Sequence, residues 1–155
     1  MESSENLAYL AGIVDGEGCI RIHKQSKRNC YSPMITVVNT NPILVDWLRF
    51  FFGGSVGVYH SGNTNWKDSY NWRLTGIKAI ELLQQIRPYL RLKAQQADKL
   101  LAFWRIHEIY GVIGGGIEPS PWEYVEEAER FVHDLSILNR KGTREATGKE
   151  LNYGR

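Results

Sequence analysis

The chain has 155 residues, 43% of them hydrophobic, and a formal net charge of +2. At 17.8 kDa it is one domain long with enough apolar content for a core, and no apolar run approaches the roughly 18 residues of a membrane span. Two cysteines without metal-binding spacing exclude a disulfide framework, and an acidic start without a basic stretch argues against a signal peptide, so a reducing, intracellular setting is expected.

The first element is residues 7–18, Leu-Ala-Tyr-Leu-Ala-Gly-Ile-Val-Asp-Gly-Glu-Gly. Leu7, Ala8, Leu10, Ala11, Gly12, Ile13 and Val14 leave no polar stripe, so a helix here must be covered on both sides. A chain of this size covers one side with its own sheet, and the other side asks for a partner. Ala8, Gly12 and Gly16 recur every four residues. They line one edge with small side chains, where a second backbone can approach closely. Leu7, Leu10 and Val14 fall on a different face, suited to the core. Gly16 and Gly18 end the helix cheaply and carry Glu17 to its tip. The same residues also allow a plainer reading, a core helix with a glycine stop and an exposed glutamate.

Residues 19–25 alternate, with Ile20 and Ile22 facing one way and Cys19, Arg21 and His23 the other, the pattern of a half-buried strand. A polar turn with Lys27 and Arg28 leads to a second strand, Met34 to Val38, with Ile35 and Val37 inward and Met34, Thr36 and Val38 outward. Asn41 as N-cap and Pro42 at the first helical position start a helix that runs through Phe52 to Gly53-Gly54. Residues 55–60 and 69–75 pair around the loop 61–68. Tyr70, Trp72 and Leu74 share the apolar face there, and Asn71, Arg73 and Thr75 the polar one. Helices follow over 76–86, 92–110 and 122–138, the last two separated by a Gly- and Pro-rich loop. Residues 1–138 read as a single α+β domain and 139–155 as a basic and polar tail.

The charge is segregated. Residues 1–19 hold four acids and no Lys or Arg, residues 20–99 hold twelve Lys or Arg against four acids, and residues 100–155 hold seven against nine. A basic middle in a nearly neutral chain points to one polyanion-binding surface, although a solvated sheet face has the same composition. The sheet displays Arg21, His23, Lys24, Thr36, Asn71 and Arg73 opposite its apolar face. The DNA major groove admits such a ribbon, and Arg to guanine and Asn to adenine are frequent readings in it.

Leu10-Ala11-Gly12-Ile13-Val14-Asp15-Gly16-Glu17-Gly18 resembles the nine-residue signature of the LAGLIDADG homing endonucleases, with conservative changes at the fourth, fifth and seventh places and Glu for Asp at the eighth. The order α-β-β-α-β-β-α is also that of the family's fold, which carries a four-stranded antiparallel DNA-binding sheet. No second copy of the motif follows, since Gly114 to Glu118 lacks the preceding apolar helix. The resemblance is therefore to the single-motif type, similar to algal chloroplast intron-encoded members, and implies a homodimer about a two-fold axis with Ala8, Gly12, Asp15 and Gly16 at the interface. Such a dimer takes a near-palindromic double-stranded target, about 10 bp per half-site.

The resemblance also implies roles. Glu17 matches the family's metal-ligating acid, with the Gly16 carbonyl beside it, for Mg²⁺ or a substitute such as Mn²⁺ or Ca²⁺. Bound metal would lower the pKa of a water and stabilise the departing 3′ oxygen. Leu90 to Ala97 resembles a family stretch whose second lysine, here Lys93, lies beside the scissile phosphate. Asn39 is the nearest match to a water-positioning residue after the second strand, but Pro42 and Ile43 replace the basic partner that can follow it. Asp15 is read as structural, holding the end of its own or the partner helix.

DNA contacts are expected from Cys19, Arg21, His23, Lys24 and Gln25, from Lys27 and Arg28, and from Ser32, Met34, Thr36 and Val38. The second strand pair adds Tyr59, Ser61, Trp66, Lys67, Asn71, Arg73 and Thr75. Residues 138–144 resemble a basic loop that touches phosphates, which adds Lys141, Thr143 and Arg144. The function implied is site-specific, metal-dependent DNA cleavage that promotes intron mobility, in an organelle (chloroplast or mitochondrion) or a microbial cytoplasm. The alternatives are an RNA-binding maturase acting on structured intron RNA and a non-cleaving DNA-binding regulator.

Overall fold

The apolar opening segment folds as α1, Ser4–Glu17, in a computed structural model that describes residues 2–25, 30–62, 65–110 and 121–140. The Ser3 hydroxyl caps it, accepting from the Asn6 N–H at 3.3 Å. Leu10, Ala11 and Val14 are fully buried, while Ala8, Tyr9, Gly12 and Gly16 are exposed. The subunit thus covers one side of the helix and leaves the small-residue edge open. At Gly18 the chain passes straight from helix to strand. A Cβ there would lie 2.7 Å from the Val14 Cα, so the junction requires glycine.

Four strands follow: β1 (Gly18–Gln25), β2 (Cys30–Asn39), β3 (Ser55–Tyr59) and β4 (Ser69–Thr75). They form one antiparallel sheet in the order β1-β2-β4-β3. Register aligns Cys19 with Thr36, Arg21 with Met34 and His23 with Ser32. It also aligns Thr36 with Arg73 and Val38 with Asn71, and Tyr59 with Ser69. Since side chains alternate, these residues share one face. Ile20, Ile22, Ile35, Val37, Trp72 and Leu74 point the other way into the core, where all six are buried.

Helices cover that core face: α2 (Pro42–Phe52), α3 (Ile77–Ile86), α4 (Ala94–Ile109) and α5 (Trp122–Leu138), with a 3₁₀ turn at Arg87–Tyr89. The α2 start is as expected, the Asn41 Oδ1 accepting from the Ile43 N–H at 3.0 Å. Its end is tied to β4 by the buried Trp72, whose Nε1 donates to the Gly53 carbonyl at 2.7 Å. Of the boundaries that differ from expectation, two have a visible cause. β2 begins four residues before Met34, through Pro33, because pairing with β4 starts only at Met34 and no β4 backbone awaits the missing proline N–H. Helix α4 starts at Ala94 rather than 92, since residues 91–93 form a turn held by Asp15.

Helix α5 packs on α4 and on the end of the sheet. The Lys99 ammonium meets Asp134 at 2.6 Å, and buried His107 bonds to the Tyr124 hydroxyl at 2.8 Å. The Asn139 amide donates to the Ile20 carbonyl at 2.9 Å, so the end of α5 lies against β1 beside the tip of α1. Among the described residues no helix is long and apolar enough to cross a membrane.

Candidate functional site

Glu17 is the last residue of α1, and it is exposed. The antiparallel register that pairs Gly18 with Val37 brings the end of β2 alongside. There the Asn39 amide nitrogen donates to a Glu17 carboxylate oxygen. The orientation of that amide is fixed from behind, because the Asn41 N–H donates to the Asn39 Oδ1 at 2.8 Å. Asn41 therefore serves twice, as the cap of α2 and as the group that turns the NH₂ of Asn39 toward the acid. The sequence had marked it as a cap only.

Lys93 reaches the same tip. Its ammonium donates to the carbonyls of Val14 at 2.8 Å and Asp15 at 2.5 Å. These belong to the last turn of α1, which carries the negative end of the helix dipole; the Val14 carbonyl also accepts the Gly18 N–H. The lysine thus caps α1 and sets a positive charge beside Glu17. A cleft of about 380 Å³ holds Glu17, Gly16, Cys19 and Lys93 together with Gln96, Asn139 and Arg140. Sequence reasoning assigned no role to the last three. Arg140 lies in the stretch already compared with a phosphate-touching loop, but only the docking of α5 against β1 reveals where it sits.

Asp15 is at work inside its own subunit. Its carboxylate accepts the N–H of Arg91 at 2.7 Å and of Lys93 at 2.9 Å. The structural role stands, but the group held is the turn entering α4 rather than a helix end, and the carboxylate is not part of the open glycine edge. Asp15→Ala leaves two backbone donors without their acceptor. It should destabilise the fold by about 1–3 kcal/mol, read from chemical denaturation; an unchanged midpoint contradicts this role.

The open sheet face carries eight of the residues expected to meet DNA. Arg21, His23, Val38, Arg73 and Thr75 are exposed there, and Cys19, Ser32 and Asn71 are half-buried. Tyr59 and Trp66 stand out at the β3–β4 end with Lys67, all exposed, and Ser61 is half-buried with its N–H bonded to Asp68. Three expectations need correction. Lys24 lies on the helix-covered side, in phase with Ile20 and Ile22, where it pairs with Glu129 and sits 5.7 Å over the Tyr31 ring. Met34 and Thr36 belong to the open face by register but are only 3% and 6% exposed. They sit on a strand flanked on both sides, where neighbouring side chains cover them. Lys27, Arg28, Lys141, Thr143 and Arg144, and the side chain of Gln25, lie outside the described residues.

The Lys24 ammonium, and after it the Tyr31 hydroxyl, hold Glu129 below the usual carboxylate range. A depressed carboxylate contributes its stabilisation above that range and loses it as pH falls through the lowered value. This tie fastens α5 to the sheet, so Lys24 serves the fold.

Among the described residues no group of three or more His, Cys, Asp or Glu gathers as a closed metal site. Around Glu17 one chain offers a carboxylate and the Gly16 carbonyl. An all-oxygen set this small suits Mg²⁺, which keeps several waters and takes substrate phosphate oxygens, and it does not suit a caged ion.

No family model and no curated protein sequence matches the chain, so relatives are visible through architecture. The homing endonuclease I-CvuI, in complex with DNA in the presence of Mg, superposes with a TM-score of 0.67 at 20% identity, over 90% of this chain and 85% of that one. An archaeal intron-encoded homing endonuclease complexed with DNA gives 0.66 at 16%, over 93% and 90%. This is the LAGLIDADG homing endonuclease fold. A third structure of that fold, I-AabMI, a LAGLIDADG meganuclease bound to uncleaved DNA, matches with a TM-score of 0.57 at 14% identity, over 92% of this chain but 47% of its own. One LAGLIDADG unit of the present length thus corresponds to about half of that larger protein.

Proposed function

We propose that the chain is a site-specific endonuclease that works as a homodimer, cutting a near-palindromic double-stranded DNA target with a divalent cation and so promoting the mobility of an intron. The observation that carries this is the tip of α1. An exposed carboxylate, oriented by Asn39 and flanked by the Lys93 ammonium, ends a helix with an open glycine edge, at the corner of a sheet displaying Arg21 and Arg73. A protein that only binds a polyanion gains nothing from a carboxylate at that surface, since like charges repel. Cation-dependent cutting gives it a use. This favours cleavage over the maturase and regulator readings.

The dimer is supported by Gly12 and Gly16. A Cβ added at either meets nothing within 4 Å, although glycine inside a helix costs about 1 kcal/mol relative to alanine. Packing among the described residues of the subunit does not call for small side chains there, whereas close approach of a second α1 does. The match covers about half of I-AabMI, which leaves room in that DNA-bound chain for a second unit of this size.

In the dimer two α1 tips place two Glu17 carboxylates over the duplex. When bound, Mg²⁺ supplies Lewis acidity at the phosphate and a more acidic water. Glu17 and the Gly16 carbonyl would hold it, Asn39 fixes the Glu17 rotamer, and Lys93 adds positive charge near the scissile group. Arg140 lies within the same cleft, placed to meet a phosphate. The open sheet face supplies register and base contacts.

The test is incubation with long duplex DNA with and without Mg²⁺. Cutting at defined sites only with metal supports the proposal, and binding without cutting under both conditions favours the regulator. Arg73→Ala should relax preference at one base position per half-site, at a cost of about 1–3 kcal/mol there. If all sequences weaken equally in a binding-site selection, Arg73 contacts phosphate instead.

A further inference from the structure

One helix edge is a small contact. A rod of 14 residues is about 21 Å long and, at a width of about 10 Å, offers roughly 200 Å². A stable specific interface buries about 800 Å² on each partner. Two α1 helices alone therefore fall short, and the remaining area must come from their surroundings.

Suitable surface adjoins the glycine edge. Leu44 of α2 lines the same shallow groove as Ala8, Tyr9, Gly12, Ile13 and Gly16. From there a chain of rings leads outward: Tyr9 meets Trp47 edge-on at 5.1 Å, Trp47 lies 5.2 Å from Phe51, and Phe51 lies 5.0 Å from Phe50. The strip ends in fully presented apolar side chains, Ile43 at 75% and Phe50 at 82% exposure. Helical spacing puts Ile43 and Phe50 side by side, one step beyond Trp47. Asp46 and Arg49 come only after them, on the flank away from α1. The apolar surface is thus continuous with the glycine edge, bordered by charge at the α1 tip, where Glu17 also lines the groove, and on the far flank of α2. Exposed patches of this kind mark interaction sites.

We infer that the α2 ridge of Ile43, Trp47, Phe50 and Phe51 is the outer part of the dimer contact and is covered by a second copy of this chain. The inference rests on the homodimer proposed above and adds the surface that makes it stable. In a two-fold contact each copy contributes the same strip, so the ridge on one subunit closes one end of the α1 pair and its symmetry mate closes the other.

Sedimentation equilibrium of the DNA-free protein tests this. Phe50→Glu should raise the dimer dissociation constant at least tenfold, and Ile43→Glu should act in the same direction. Both side chains are exposed in the subunit, so the circular dichroism and melting of the dilute monomer should match the parent. If the parent dimerises and both variants dimerise as tightly, while Gly12→Leu does not, the ridge is outside the contact and the inference is wrong. A parent that stays monomeric even on DNA overturns the homodimer itself, a separate and recognisable failure.

Discussion

Glu17→Gln abolishes cleavage and leaves DNA binding intact. The substitution keeps the length and shape of the side chain and can still accept from the Asn39 amide, so the tip of α1 retains its geometry. What it removes is the charged oxygen that would hold the cation at this tip. The loss should be roughly 10³-fold or more, the scale on which removing a group that stabilises transition-state charge acts. Binding to the same duplex should hold or improve, because a negative charge facing phosphates is gone. Single-turnover cleavage at saturating Mg²⁺, with a parallel mobility-shift titration, gives both quantities. Cleavage that survives at near-parental rate removes Glu17 from the chemistry. Loss of binding and cutting together makes it a structural residue.

Gly12→Leu separates the chains without unfolding them. In the subunit nothing lies within 4 Å of the added Cβ, and replacing a helical glycine by leucine favours the helix by roughly 0.5–1 kcal/mol. The isolated subunit should therefore melt no lower than the parent. In the dimer the leucine enters the seam between two backbones. Overpacking costs about 1–3 kcal/mol per site, and two-fold symmetry presents two sites, so association weakens by about 2–6 kcal/mol. That is a rise of roughly 30-fold or more in the dissociation constant. Cleavage should fall with it, recoverable at high protein concentration. A Gly12→Leu protein that remains dimeric at the parental affinity places the contact elsewhere.

Local rules made much of this molecule legible. A run without a polar side, glycines at spacing four and a carboxylate after them specified α1, its open edge and its tip. Period-two alternation gave both faces of the sheet, and Asn41-Pro42 gave the start of α2. The same alternation, followed one residue further, puts Lys24 with Ile20 and Ile22. Counting it among the displayed cations followed its charge rather than its phase. What stayed hidden depends on contacts distant in sequence. Nothing near Asp15 reveals that its acceptors serve residues 91 and 93, and nothing near Asn139 reveals that α5 ends against β1. Met34 and Thr36 are polar-face positions by phase, yet their place on an inner strand buries them. The aromatic ridge of α2 read simply as helix, because exposure is decided by what the other elements leave uncovered.

The mass of the protein–DNA complex tests the central claim most directly. Sedimentation equilibrium on a duplex carrying the cleaved site, with Ca²⁺ in place of Mg²⁺ to hold the uncut state, should find two 17.8 kDa chains per duplex across the range in which cutting is observed with Mg²⁺. A complex that contains one chain, at concentrations where both strands are cut, contradicts the account.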